Sequence, residues 1–242
     1  LQNGNSQKNT VSESFSRSRF LSFFGRVDYS LMDKYYFDAS IRNDACSRFG
    51  PNNRNATFWA AGAMWKMKRE SFLFGTSWLD DLNFKVSYGT QGNASIGDYQ
   101  HLALIGASSD YATSSSLVVA QPSNPDLTWE KQSLLTVGFN GRVLNLIDFN
   151  LEYYHRKTSS MLMDVPYNYT TGFSSLYANV GGLVNQGIDI TLGVDILRGR
   201  DHFLRFNTTF NWNAEKVTEL FNNLDRYFRR SEERRVGKEC RS

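Results

Sequence analysis

Three histidines, His101, His155 and His202, are the side chains best suited to acid–base chemistry near neutral pH. None has the companions that would make it a site. No Gly-x-Ser-x-Gly elbow is present, so serine-based hydrolysis lacks its nucleophile. Gly89 and Gly92 form neither a P-loop nor a dinucleotide fingerprint and read as turn residues. Cys46 and Cys240 are the two cysteines, and no Cys or His spacing suits a metal. The expectation is no enzyme, no cofactor and no metal ion. What remains is a set of charges, each on an alternating stretch: Arg26, Asp28, Arg42, Lys85, Glu152, Arg156, Asp189, Asp195 and Arg205. Side chains of both signs on one wet face can contact a polar solute, or can simply pair with one another. A second set is aromatic: Tyr167, Tyr169, Phe173 and Tyr177 lie in a long connection. Their flat faces suit sugar rings, and suit packing against another protein or another loop at least as well.

The elements that carry these charges have a period of two. Leu135, Val137 and Phe139 alternate with Thr136, Gly138 and Asn140; after a short turn, Phe149, Leu151 and Tyr153 alternate with Asn150, Glu152 and Tyr154. Each arm therefore has one apolar and one polar face. The cleanest alternation follows, with Ile188, Ile190, Leu192, Val194 and Ile196 against Asp189, Thr191, Gly193 and Asp195. Its return arm sets Leu204, Phe206, Phe210 and Trp212 against Arg205, Asn207, Thr209 and Asn211. Upstream, Phe23, Val27 and Tyr29 oppose Arg26 and Asp28, and Phe84, Val86 and Tyr88 oppose Lys85 and Ser87. Residues 57–68 read as strand, with a helix as the alternative, because Ala, Met and Lys also form helices well. A brief helical turn is expected in 70–78, and short strands at 101–105 and 117–120. These arms exceed the ~5–6 residues of an ordinary strand and match the ~9–11 of a membrane-spanning one. Roughly ten antiparallel strands in one curved, meandering sheet are expected.

Composition is compatible with this. Hydrophobic residues make up 40% of the chain, and no run of ~18 apolar residues exists to form a spanning helix. A barrel strand shows only alternate residues to lipid and needs no such run. Aromatic residues reach 14% while proline is limited to four, which suits long paired strands. The chain starts at Leu1 without a leader and reads as an internal fragment, with residues 1–229 part of a barrel. The stretch 230–242 breaks the pattern and resembles the translation of a sequencing adapter. It contributes Arg230, Arg234, Arg235, Lys238 and Arg241 against Glu232, Glu233 and Glu239, so without it the net charge falls from +3 to +1. No nucleic-acid footprint survives at that charge.

Short connections near Asp33, Asn145 and Gly199 alternate with long ones near Pro51, Ser114 and Tyr169. Outer-membrane barrels have short periplasmic turns and long external loops. A soluble carbohydrate-binding β-sandwich or an outer-membrane enzyme is the competing reading. The first gives no reason for this asymmetry; the second lacks clustered Ser, His and acidic residues.

Particular peptides then carry a resemblance. Phe24-Gly-Arg-Val-Asp-Tyr-Ser30, Ser47-Arg-Phe-Gly-Pro-Asn-Asn-Arg54 and Val86-Ser-Tyr-Gly-Thr-Gln-Gly-Asn93 resemble segments of the SusC/RagA family of TonB-linked outer-membrane transporters. So do Asn124-Pro-Asp-Leu-Thr-Trp-Glu-Lys131, Gly172-Phe-Ser-Ser175 and Asn179-Val-Gly-Gly-Leu-Val-Asn-Gln-Gly-Ile188, in family order. The resemblance implies a part of the C-terminal half of a large transmembrane β-barrel in the outer membrane of a Bacteroidetes-type bacterium. It further implies a SusD-like lipoprotein partner, energy from the TonB complex, and an oligosaccharide or peptide solute.

Overall fold

The computed structural model describes residues 15–109, 115–166, 170, 172–173, 175–199 and 202–220. Among these residues twelve strands run in chain order: β1 (Phe20–Leu31), β2 (Tyr35–Cys46), β3 (Asn55–Lys66), β4 (Leu79–Asn93), β5 (Leu104–Ser109), β6 (Ser115–Gln121), β7 (Glu130–Val143), β8 (Ile147–Ser159), β9 (Leu162–Pro166), β10 (Ser175–Asn179), β11 (Gly182–Arg198) and β12 (Phe203–Glu219). Eight form one antiparallel sheet in the order β1-β2-β3-β4-β7-β8-β11-β12; β5-β6 and β9-β10 are separate two-stranded hairpins. The expected ten-stranded sheet is thus an eight-stranded one. The long connections fold into hairpins of their own instead of joining it. Among the described residues the sheet does not close, and β1 and β12 are its edges.

Directly paired residues of an antiparallel sheet share a face, and the register turns the sequence alternation into two continuous surfaces. One row crosses all eight strands as Leu31, Tyr35, Trp65, Phe84, Phe139, Leu151, Ile190 and Phe210. The row beside it runs Tyr29, Phe37, Ala63, Val86, Val137, Tyr153, Ile188 and Trp212. On the opposite face, Ser30, Tyr36, Met64, Lys85, Gly138, Glu152, Asp189 and Asn211 form one row. The apolar face has no cover: Val27, Phe206 and Phe210 are all more than half exposed. A sandwich would bury them. Along β7 this face runs from Leu135 to Val143, about 26 Å at ~3.3 Å per residue before strand tilt, close to the ~25 Å band of an outer-membrane barrel.

Two turns are tight. Met32 and Asp33 have φ of 53° and 54°, and Leu144 and Asn145 have φ of 54° and 52°. Positive φ at both central residues is the hand that follows strand twist. Lys34 N–H donates to Leu31 O at 3.0 Å and Leu146 N–H to Val143 O at 3.0 Å, closing them. The β11–β12 connection is short as well. The 67–78 connection, on this same side, breaks the asymmetry read from the sequence. It holds a 3-10 turn (Met67–Arg69) and the helix α1 (Ser71–Phe74).

The hydrophobic core lies at the other end, under the long loops. Phe49 and Leu127 are fully buried, and Trp129, Cys46, Ile96 and Phe58 nearly so. Phe49 and Trp129 ring centroids are 4.7 Å apart, with Phe20 and Phe58 edge-on to the indole at 5.9 and 5.8 Å. Trp129 Nε1 donates to Arg54 O at 3.1 Å. Asn179 clamps Thr128 from both sides, accepting from its N–H at 2.7 Å and donating to its carbonyl at 2.6 Å. Three peptides far apart in sequence, around Phe49, Leu127 and Asn179, thus meet in one knot.

Candidate functional site

The polar face positions all nine charged candidates on one surface, as alternation requires. Depressions indent it. One of about 710 Å³ is lined by Arg26, Asp28, Tyr36, Asp38, Lys85 and Glu152 among others. Another, about 480 Å³, lies toward the tight turns and takes in Lys85, Asn140, Arg142, Asp148, Asn150 and Arg205. Lys85 belongs to both.

Within this surface most of the charged candidates are paired. Arg26 bonds Asp28 two residues along β1 at 2.7 Å, both well exposed. Arg42 bonds Asp44, which is buried, and its guanidinium lies 5.9 Å from the Phe20 ring centroid. Lys85 Nζ meets Glu152 Oε1. Asp189 accepts from Asn211 Nδ2. Asp195 is only 3% exposed and has two arginines: Arg142 at 2.9 Å and Arg205 at 3.3 Å. Both also reach Asp148, Arg205 at 2.7 Å and Arg142 at 3.6 Å, closing a four-membered ring of alternating charge. Burying Asp195 is tolerable only because both its oxygens are compensated. Arg156 is exposed and makes no ion pair among the described residues.

Sequence reasoning missed Arg142 and Asp148. Both stand on polar-face positions of the period, but beside a turn, where alternation is short of partners to reveal it. It also missed a ladder of amides: Asn83, Asn140 and Asn150 face one another across β4, β7 and β8. Each of the three keeps a buried side-chain oxygen without a hydrogen-bond donor.

Of the aromatic candidates, Tyr167 and Tyr169 lie outside the described residues. Phe173 is half-buried. Tyr177 packs against the loop knot, and its carbonyl accepts from Asn124 Nδ2 at 3.0 Å. Among the described residues no group of three His, Cys, Asp or Glu could hold a metal, and no helix is long and apolar enough to cross a membrane. His101 is buried with Nδ1 3.1 Å from Arg48 O, a packed loop residue.

An open antiparallel sheet with one charged, self-paired face and one bare apolar face is a segment of a transmembrane β-barrel wall. A family model described as TonB dependent receptor-like, beta-barrel, matches residues 1–237. TonB-dependent receptor P26 of Formosa agariphila is 31% identical over 228 residues, covering 91% of this chain and 23% of the relative. TonB-dependent receptor SusC of Bacteroides thetaiotaomicron is 31% identical over 214 residues, covering 85% and 21%. The RagAB peptide importer in its closed-closed state superposes with a TM-score of 0.78 at 40% identity, covering 84% of this chain and 22% of that chain. The chain belongs to the TonB-dependent receptor β-barrel family, on its SusC/RagA branch. Members of this family are outer-membrane proteins of Gram-negative bacteria. The chain spans about a fifth of the length of the curated relatives it matches.

Proposed function

We propose that this chain forms part of the wall of a TonB-dependent importer in the outer membrane of a Bacteroidetes-type bacterium. The observation that carries this reading is the pair of unbroken rows across all eight strands, one wet and one apolar. A wall of this kind separates lipid from an aqueous passage and needs no catalytic group. The solute is a large polar nutrient, an oligosaccharide or a peptide. A SusD-like lipoprotein covers the long-loop side, and the TonB complex supplies energy through a part of the protein outside this chain. The relatives support the coupling to TonB by their names, and the RagAB neighbour is itself a peptide importer. The charged ring of Arg142, Asp148, Asp195 and Arg205 stiffens the wall near the tight turns. The exposed Arg26, Asp28 and Arg156 are the charges most open to a passing solute.

Uptake of labelled oligosaccharide and peptide mixtures tests this in cells carrying the complete protein, with TonB-deficient cells alongside. Accumulation that needs both the protein and TonB is the expected result. Accumulation unchanged by loss of either would dismiss the reading.

A further inference from the structure

The 67–78 connection turns Lys68, Glu70 and Thr76 inward and its rings outward, with Arg69, Ser71 and Ser77 exposed beside them. Elsewhere on this side the sheet turns within three residues at 32–34 and 144–146 and within four between β11 and β12. Here the chain takes residues 67–78 and folds them toward the apolar face, because Phe72 packs edge-on to Trp65 at 6.4 Å, and Trp65 belongs to the apolar row. Phe72, Phe74 and Trp78 are 63%, 78% and 53% exposed. An ordinary solvent-facing loop does not present three large rings in so short a stretch.

Several backbone groups of the same stretch are bonded within it. Lys68 Nζ donates to Leu73 O and Thr76 Oγ1, each at 3.1 Å, and also to Thr76 O. Glu70 N–H reaches Met67 O, Leu73 N–H reaches Glu70 O, and Thr76 N–H reaches Leu73 O. The Glu70 carboxylate accepts from Tyr35 Oη at 2.6 Å, Lys34 Nζ at 3.1 Å and Trp65 Nε1 at 3.2 Å. A segment entering lipid must satisfy its backbone groups internally, and Lys68 does this for the carbonyls at the end of α1. Trp settles in the headgroup layer at the border of a lipid-facing band, and aromatic residues as a class flank that band in outer-membrane barrels.

We propose that residues 67–78 form an interfacial anchor, with Phe72, Phe74 and Trp78 inserted into the bilayer on the tight-turn side of the sheet. The inference rests on the outer-membrane reading. The occupant is lipid because the rings continue the lipid-facing surface: Trp65 joins Phe72 directly to the row through Phe84 and Leu151. Lys68 is a positioning residue that keeps the segment insertable.

The test places a nitroxide at Phe74→Cys in the complete protein, with native cysteines replaced by alanine, in phosphatidylcholine–phosphatidylglycerol vesicles. Collision with oxygen, which concentrates in lipid, is compared with collision with a water-soluble nickel chelate. Leu151→Cys marks the lipid band and Asn145→Cys a neighbouring tight turn. Oxygen should dominate at Phe74→Cys and at Leu151→Cys, and nickel at Asn145→Cys. Adding Lys68→Met should move the Phe74→Cys ratio toward nickel. Phe72→Cys gives the same readout if Phe74→Cys does not assemble. Dominance of nickel at both ring positions overturns the anchor, and so does shielding from both reagents, which would mean a protein partner. If Leu151→Cys also lacks the oxygen preference, the outer-membrane reading fails together with it.

Discussion

Lys85 reaches Glu152 by passing over Gly138. The three residues share one row across β4, β7 and β8, and the lysine spans the whole width of β7 to bond the carboxylate. A Cβ on Gly138 would stand 2.7 Å from Leu151 O and 3.2 Å from Lys85 Cε. The backbone oxygen cannot yield as a side chain can. Gly138→Ala is therefore expected to destabilise the barrel by about 1–3 kcal/mol, the usual range for overpacking. Urea unfolding of the complete protein in vesicles measures it. A neutral Gly138→Ala would show that the row is looser than described.

The loop knot makes a larger claim. Trp129 fills the space between Phe49, Phe20 and Phe58 and is 2% exposed. Trp129→Ala should cost about 3–5 kcal/mol, the range for removing a buried aromatic. Its local sign should be proteolysis within 47–54 and 122–128 before the strands open. Gly50→Ala should match it despite the small change, since an added Cβ would lie 1.8 Å from Pro125 O. Protease resistance equal to wild type in both variants would remove the knot as the organiser of these loops.

Glu70 links stability to pH. Hydrogen bonds from Tyr35, then from Lys34, hold its carboxyl below the usual carboxylate range. A carboxyl held lower in the folded state contributes stability that is present above its unfolded value, ~4.3. That contribution fades as pH falls through the folded value. Protection of 67–78 from protease should therefore weaken on acidification below the ordinary carboxylate range. Glu70→Gln should be less protected at neutral pH and lose this dependence. A variant whose pH profile overlays that of wild type would contradict the assignment.

The strands were legible because each sheet face faces a different medium, so alternation in β7, β8, β11 and β12 is uninterrupted. The residues 57–68 were ambiguous for a related reason. Trp59, Ala61, Ala63 and Trp65 keep the period, but Ala and Met carry little β preference. What stayed hidden depends on register. Arg142 and Asp195 are far apart in the chain, and nothing local to either announces the other. The hairpin of β9 and β10 was hidden too, because its short arms lack a clear period. The 67–78 connection has aromatic and basic residues that no turn signature explains, and only its hydrogen bonds show what they do.

The open edges also have a consequence. Among the described residues, β1 and β12 each leave a row of backbone groups unpaired, at a cost of several kcal/mol per group in lipid. In water, such edges and the bare apolar rows invite association. The 242-residue chain expressed alone should aggregate, as read by size exclusion after refolding in detergent. A monodisperse monomer with a cooperative melt would contradict this.

Sidedness follows from the connections. A tag at Asn53, beside the knot, should be reached by antibody on intact cells carrying the complete protein. A tag at Asp33 should be reached only after permeabilisation. Equal labelling of the two would defeat the orientation.

The central claim is that the two faces of the sheet meet lipid and an aqueous interior. Strand β11 tests it most directly, because Ile188, Ile190 and Leu192 alternate there with Asp189 and Thr191. Bimane attached to cysteine at each of the five positions, in the complete protein reconstituted with brominated lipid, reports contact with acyl chains by quenching. Strong quenching at Ile188, Ile190 and Leu192, with little at Asp189 and Thr191, is the expected period-two pattern. Uniform quenching along the strand, or quenching on the polar set, would contradict the barrel wall.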